Sequence, residues 1–170
     1  MAFTMLYRYI KSPIGQLLLA GDEHGLKYIG FPHGKGKVAP LDSWQRNAEC
    51  FLDTELQLSE YFDRKRNSFD LKLAPTGTAF QLAVLQALQT IPLGETRSYL
   101  DIARQIGRPE AVRAVGAANG RNPLPIVIPC HRVIGSDGSL TGFGGGLKTK
   151  LFLLQLEGAK LNQTNQNDLF

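Results

Sequence analysis

Residues 122–134 read Asn122-Pro123-Leu124-Pro125-Ile126-Val127-Ile128-Pro129-Cys130-His131-Arg132-Val133-Ile134. Proline fixes φ and has no amide hydrogen, so Pro123, Pro125 and Pro129 rule out a continuous helix or a central strand here. The apolar residues between them still have to be buried. The stretch is expected to be a rigid, extended and largely buried run that delivers Cys130 and His131 together. Gly135-Ser136-Asp137-Gly138 then reads as a turn, and Thr141-Gly142-Phe143-Gly144-Gly145-Gly146 as a glycine-rich loop. That loop could cradle an anion or shape a lid, but it lacks the lysine and spacing of a phosphate-binding loop. A last amphipathic helix, Leu147 to Leu156, closes on Gly158.

Upstream of this stretch the pattern is helical. Thr78 with Gln81, and Ser98 with Asp101, have capping-box spacing. The first opens a helix with the stripe Phe80, Val84, Leu85 and Leu88, ended by Pro92 and Gly94. The second opens a short helix burying Leu100, Ile102, Ala103 and Ile106. Gly107-Arg108-Pro109 breaks the chain, and Pro109 suits the first turn of a helix running to about Asn119, with Val112, Val115 and Ala118 inward. Two short helices across a glycine turn match a helix-turn-helix, although an ordinary helical hairpin has the same pattern. The second helix would carry Arg113 outward. Its small residues, Ala111, Ala114, Gly116 and Ala117, would let its backbone approach another surface closely.

The first half has a different composition. Met5 to Ile10 reads as a strand, Ser12-Pro13-Ile14-Gly15 as a turn, and Gln16 to Ala20 with Leu26 to Phe31 as a hairpin with a four- or five-residue loop. After a Gly/Lys/Pro-rich loop, Asp42 or Ser43 can cap a helix running to about Arg64. Phe69, Leu71 and Leu73 alternate as a further strand over Ser68 to Leu73. The order β-β-β-α-β suggests a small sheet with a helix on one face. Ala74-Pro75-Thr76-Gly77 is a plausible linker. The expected organisation is an α/β N-terminal domain over residues 1–74, a linker at 75–77, a mostly α C-terminal domain over 78–161, and a polar, disordered tail at 162–170.

Several function classes fall away on composition. The chain has 170 residues, enough to bury a core without staples. Its longest apolar runs fall far short of the ~20 residues that span a bilayer. Tyr7, Arg8 and Lys11 interrupt the start, so no leader is expected, and the protein is expected in the cytoplasm, or in the nucleus of a eukaryotic cell. Two cysteines, Cys50 and Cys130, exclude a disulfide scaffold and a four-cysteine zinc site. The formal charge is +4. It concentrates in residues 97–132, which hold Arg97, Arg104, Arg108, Arg113, Arg121 and Arg132 against Asp101 and Glu110. Arginine forks suit phosphates and base edges, so this is either an electrostatic footprint for nucleic acid or a solvated helical face.

A thiol becomes a strong nucleophile once it loses its proton, and a histidine can take that proton directly or through a water. A carboxylate on the far ring nitrogen fixes the tautomer. Cys130 and His131 are adjacent in sequence, which does not itself bring their side chains together. Glu157, on an otherwise apolar stretch, is the candidate third member; an exposed helix end is the plainer reading for it. A buried structural thiol and a core histidine are the plainer readings for Cys130 and His131. Cys50 falls within the expected N-terminal helix, beside Glu49 and with no histidine at helical spacing, and reads as structural. His24 and His33 lie in loops and read as surface residues.

Taken together, these pieces resemble the O6-alkylguanine-DNA alkyltransferases, repair proteins that accept one alkyl group on a cysteine. The likeness is carried by Pro129-Cys130-His131-Arg132-Val133. The helix-turn-helix, Arg113-Ala114-Val115-Gly116, Asn122-Pro123, the glycine-rich loop and Glu157-Gly158 stand in the family's order. The first half resembles the family's small ribonuclease-H-like domain more loosely, with a small antiparallel sheet and a helix. The resemblance implies stoichiometric, irreversible transfer of an alkyl group from O6-alkylguanine, and from O4-alkylthymine, in double-stranded DNA. It implies base flipping through the minor groove and no cofactor, metal or membrane. The expected unit is a monomer, with side-by-side binding on DNA as an extension.

Residue by residue, the resemblance makes Cys130 the acceptor and His131 a water-mediated base oriented by Glu157. Asn122 becomes the hinge between helix-turn-helix and cysteine loop. Tyr99 would crowd the phosphate beside the lesion and donate a proton or hydrogen bond to the departing guanine. Arg113 would fill the gap in the duplex, and Ala111, Gly116 and Ser136 would contact DNA. Pro125, Val133, Phe143 and Gly144 would line the pocket, with the Cys130 and Val133 carbonyls facing the guanine amino group. Phe143 and Gly144 depart from members with tyrosine and serine there, which removes hydroxyl donors, although a backbone N–H could still serve; the glycine-rich loop is expected to leave room for larger alkyl groups. The rival readings are a DNA-binding module without chemistry, as in alkyltransferase-like proteins that lack the cysteine, and a multiple-turnover cysteine hydrolase. With 170 residues and two cysteines, the chain is expected to be the short form, without the cysteine-rich regulatory domain that some members add.

Overall fold

Leu17, Leu18, Leu19 and Ala20 run without a polar break, and the strand they form is buried on both faces. In the structure, a computed structural model that describes residues 4–161, this strand β2 (Leu17–Asp22) lies between β1 (Leu6–Ile10) and β3 (Gly25–Gly30), antiparallel to both. The hairpin is tighter than expected. Asp22 pairs with Gly25, leaving only Glu23 and His24 in the loop, and the Asp22 carboxylate accepts the His24 amide at 2.8 Å. A fourth, two-residue strand β4 (Gln45–Arg46) adds parallel to β1, giving the order β3-β2-β1-β4. The sheet is therefore mixed rather than wholly antiparallel.

The helix expected from residue 42 or 43 begins only at Leu52. Helix α1 is Leu52–Phe62. The segment before it is claimed by the sheet edge: Gln45 N–H donates to Met5 O (2.8 Å) and Asn47 N–H to Tyr7 O (2.9 Å). Arg8 then donates to the Ala48 and Cys50 carbonyls, and Phe51 sits at φ 57°, in the left-handed region. Long-range pairing thus overrides a good local helical pattern. Cys50 lies in the turn before the helix, half-buried, with its thiol donating to Asn47 O at 3.1 Å. The expected strand over 68–73 reduces to one bridge, Leu26 to Leu73, because Gln57 captures the Asp70 backbone through both its amide oxygen and its amide nitrogen.

Both capping boxes form, with reciprocal side-chain and backbone bonds. They start α2 (Ala79–Leu88) and α3 (Tyr99–Gln105). Helix α4 is Val112–Gly120, so Pro109 lies in the turn before the helix rather than in its first turn. Short strands β5 (Arg97–Ser98) and β6 (Val133–Ile134) pair in parallel, tethering the start of α3 to the end of the cysteine turn. Helix α5 is Leu147–Leu156, and Gly158 follows at φ 74°. The disordered-tail expectation for 162–170 lies outside the described residues.

The proline-punctuated stretch is buried but not extended. Leu124, Ile126 and Ile128 are fully enclosed. The chain coils there: Ile128 N–H donates to Leu124 O (2.8 Å), and Cys130–Arg132 form one 3₁₀ turn. Ile126 adopts φ 75°, a conformation that β-branched residues rarely take and that the surrounding core has to hold. Ile29 of β3 donates to Pro123 O (2.9 Å), so the sheet edge and this stretch share a backbone bond. One apolar core, including Leu19, Ile29, Leu58, Leu88, Ile102, Val115, Ile128 and Leu153, runs through both halves.

Leu88 is fully enclosed within that core. Leu88→Ala is expected to lower the unfolding free energy by about 2–5 kcal/mol, read from urea denaturation midpoints. A loss below about 1 kcal/mol would show that the site collapses around the smaller side chain.

Candidate active site

The proline-rich coil ends by pointing its last turn into the seam between the sheet and the helices. Cys130 and His131 follow Pro129 in that turn, and both are buried. Behind them, α5 ends at Glu157, whose carboxylate is also buried. Oε2 of Glu157 lies 2.7 Å from His131 Nε2. Arg132 donates to Glu157 through Nε (2.8 Å, to Oε1) and Nη2 (3.0 Å, to Oε2), and its Nη1 donates to Ile91 O at 2.6 Å. The Tyr61 hydroxyl, from α1, donates to Oε2 at 2.6 Å. His131 Nδ1 has no hydrogen-bond partner among the described residues.

The electrostatics follow from burial and these bonds. Burial alone would raise the Glu157 carboxyl, but hydrogen bonds and charge from His131 and Arg132 outweigh it and hold the group down at about 2, from the ordinary 4.5. Burial pushes His131 below its ordinary 6.5 despite the Glu157 carboxylate. The imidazole is therefore neutral near pH 7, and with Nε2–H donated to Glu157 its Nδ1 carries the free lone pair. Burial raises the Cys130 thiol, opposed by a hydrogen bond with Asn122 and by the charge of Lys150. Lys150 is fully enclosed in α5; burial lowers it to about 8, and its Nζ donates to Val133 O (2.6 Å) and Thr141 O (2.9 Å).

Cys130 lines an open cavity of about 280 Å³, near the lower end of small-molecule pockets. Of the expected pocket residues, Pro125, Phe143 and Gly144 line it with Cys130, and Asn122, expected as the hinge, lines it too. Asn122 Nδ2 donates to Ile128 O (2.8 Å) and its Oδ1 accepts from Leu124 N–H (3.0 Å), so it braces the coil that carries the thiol. Val133 is not in the cavity wall; it is buried beneath the loop, with its carbonyl held by Lys150. The Cys130 carbonyl accepts from Asn119 Nδ2 at 3.4 Å.

The residues expected at the DNA surface lie apart from the cavity. Arg113 is exposed on α4 beside exposed Ala114 and Ala117. Tyr99 packs its ring beside Gly116, where an added Cβ would lie 3.9 Å from it, and its hydroxyl shares a hydrogen bond with Thr141 Oγ1 at 3.1 Å. Ala111 is the residue preceding α4, and Ser136 is exposed in the turn after β6.

Sequence reasoning missed three features. Tyr61 reaches Glu157 from the other half of the chain. Lys150 braces the glycine-rich loop; its only sequence signal is a lysine at helical spacing with Leu147, Leu151 and Leu154. The third is the cavity wall supplied by the first half, which includes Tyr28, Phe31, Lys35 and Gly36. Phe31 meets the Phe143 ring edge-on at 5.4 Å, and Gly36 N–H donates to Gly144 O at 2.9 Å. This approach requires glycine at 36, since a Cβ there would lie 2.6 Å from the Phe31 ring and 3.0 Å from Gly144 O.

Among the described residues no group of three or more His, Cys, Asp or Glu side chains could hold a metal ion, and no helix is long and apolar enough to cross a membrane. Comparison with known proteins gives a consistent picture. Residues 5–75 match the ribonuclease-like domain, and residues 79–159 the DNA binding domain, of 6-O-methylguanine DNA methyltransferase. A methylated-DNA–protein-cysteine methyltransferase of Methanosarcina acetivorans is 56% identical over 155 residues, covering 91% of this chain and 99% of that protein. One from Mycobacterium tuberculosis is 49% identical over 152 residues, covering 89% and 91%. The crystal structure of Mycobacterium tuberculosis OGT in complex with DNA superposes with a TM-score of 0.85 at 48% identity, covering 90% of this chain and 92% of that one.

The buried carboxylate and imidazole make acid stability a test of this geometry. Glu157 is depressed from 4.5 to about 2, so its contribution is full above pH 4.5 and fades as pH falls toward 2. His131 is buried neutral, so a further loss begins as pH drops through 6.5. Urea midpoints of wild type and Glu157→Gln should draw together as pH falls from 5 toward 2. A constant difference across that range would mean that Glu157 is not held in its ionised form.

Proposed function

The chain belongs to the 6-O-methylguanine DNA methyltransferase family, and we propose that it repairs alkylated DNA by moving the alkyl group of O6-alkylguanine onto Cys130. The carrying observation is the buried Glu157–His131 pair directly behind a cysteine that lines an open cavity. Transfer begins when the Cys130 S–H proton passes to His131 Nδ1, through a water. Glu157 holds Nε2–H and stabilises the imidazolium that forms. The thiolate attacks the alkyl carbon, an S–C bond forms, and the C–O bond breaks with its electron pair going to the guanine oxygen. Tyr99 supplies a hydrogen bond or proton to the departing base. The product is a thioether, which water does not cleave, so each molecule reacts once. O4-alkylthymine is the second substrate on the same chemistry.

An alkylated base inside a duplex is out of reach of a buried thiol, so the nucleotide has to be flipped at a cost of a few kcal/mol. Arg113 fills the gap. The small exposed faces of α4 let its backbone enter the minor groove, where long base-reading side chains are not needed. Ala111, Gly116 and Ser136 approach the DNA, and Tyr99 crowds the phosphate beside the lesion. Asn122 couples α4 to the thiol. Pro125, Phe143 and Gly144 shape the alkyl-guanine pocket. Residues 1–74 and 78–161 act as the two domains, and the protein works as a monomer in the cytoplasm, where thiols stay reduced.

Incubation with a duplex carrying O6-methylguanine should add a single methyl mass to the Cys130 peptide. Binding without addition would make the protein a binding module, and repeated turnover would make it a hydrolase. Cys130→Ala should abolish transfer while retaining DNA binding. Arg113→Ala should slow duplex repair by about tenfold or more, the loss of roughly 1.4 kcal/mol of duplex-opening support, and leave reaction with free O6-benzylguanine nearly unchanged. Equal losses on both substrates would overturn the gap-filling role.

A further inference from the structure

The carboxylate behind His131 is held from both halves of the chain. Glu157 Oε2 takes three donors: His131 Nε2 (2.7 Å), Arg132 Nη2 (3.0 Å) and the Tyr61 hydroxyl (2.6 Å), while Oε1 takes only Arg132 Nε (2.8 Å). A carboxylate has about four lone-pair sites over its two oxygens, so three donors at one oxygen compete. Tyr61 is fixed in place. It is buried, and its ring packs against Phe62 (5.3 Å) and Phe69 (5.5 Å). We propose that Tyr61 is a positioning residue for alkyl transfer, its hydroxyl holding Glu157 Oε2 and limiting that oxygen's pull on the His131 proton. This rests on the assignment of Cys130 as acceptor and His131 as base.

The sign follows from the groups that face His131. Glu157 and Lys150 come from α5, Arg132 and Cys130 from its own turn, and Tyr61, through Glu157, from α1. Glu157 favours the imidazolium; Arg132 and Lys150 oppose it. Tyr61 remains a neutral donor, because burial and the adjacent carboxylate push its ionisation far above the ordinary range. Removing the hydroxyl alters no formal charge. It leaves Oε2 with one donor fewer, more basic, and better able to stabilise protonated His131. A protonated ring cannot take the Cys130 proton at Nδ1, so the acid limb of the reaction moves to higher pH.

The test uses the full chain and free O6-benzylguanine, with benzylation of Cys130 followed by intact mass from pH 5 to 9, alongside melting temperatures. Tyr61→Phe keeps the packed ring. Its acid limb is expected about one unit higher than wild type, roughly tenfold slower on the acid side, with the alkaline plateau within about threefold. Placing 3-fluorotyrosine at position 61 makes the hydroxyl a stronger donor and should move the limb the other way, which keeps the proposal testable if Tyr61→Phe does not fold. Superimposable profiles, a limb moving down in Tyr61→Phe, or a uniform slowing with a lower melting temperature would overturn it, the last by making Tyr61 merely structural. Absence of reaction in wild type at every pH would instead overturn the acceptor assignment on which the proposal rests.

Discussion

A buried carboxylate is tolerable only with partners, and Glu157 has four hydrogen bonds from three side chains on two separate segments. Those bonds tie the end of α5 to the cysteine turn and to α1. Through Arg132 Nη1 they also reach Ile91, just past α2. Deleting one partner of such a cluster typically costs about 3–5 kcal/mol, because the remaining charge stays buried. The same anion that orders the imidazole therefore holds the two halves together. The proposed catalytic geometry and the packing of the two halves are one requirement here.

The thiol at the end of this chain of contacts is not a permanent thiolate. Burial raises it, and Asn122 and Lys150 only partly oppose that. For a cysteine consumed in a single event this is useful, since a protonated buried thiol is a poor nucleophile toward stray electrophiles. In the proposed transfer, reactivity depends on a neutral His131 with an open Nδ1 lone pair. Burial supplies the neutrality, and the carboxylate beyond Nε2 supplies the tautomer. Lys150, lowered by burial to about 8, adds a positive charge below that pH while its ammonium is spent on the Val133 and Thr141 carbonyls, so it braces the loop and biases the thiol without lining the cavity.

Local rules read this chain well wherever the decision is local. The capping residues Thr78 and Ser98 mark their helices because a cap is a contact over three residues. Residues 42–51 defeat the same reasoning. Their helical pattern loses to backbone pairing with Met5 and Tyr7 and to the Arg8 guanidinium, contacts some forty residues away. The proline stretch shows both sides: its burial is legible, whereas its coiled path depends on the left-handed Ile126. In the site, Cys130, His131 and Glu157 stand out by type and order. Tyr61 and Lys150 do not, since a tyrosine or lysine on an apolar stripe looks like ordinary packing until its distant partner is known.

The glycine-rich loop has a wall to lean on, and through that wall the α/β half would serve the chemistry proposed for the helical half. Gly144 is bonded to Gly36, and Phe143 rests against Phe31. On the other side Asn122, immediately beyond α4, braces the coil that presents Cys130. Helix α4 packs in turn on α2 and α3. The helix proposed to dock on DNA, the coil carrying the thiol and the pocket wall thus form one packed unit. In the proposed reaction the moving part would then be the nucleotide: docking would fix where an extruded base arrives, at a cavity whose wall both halves already supply.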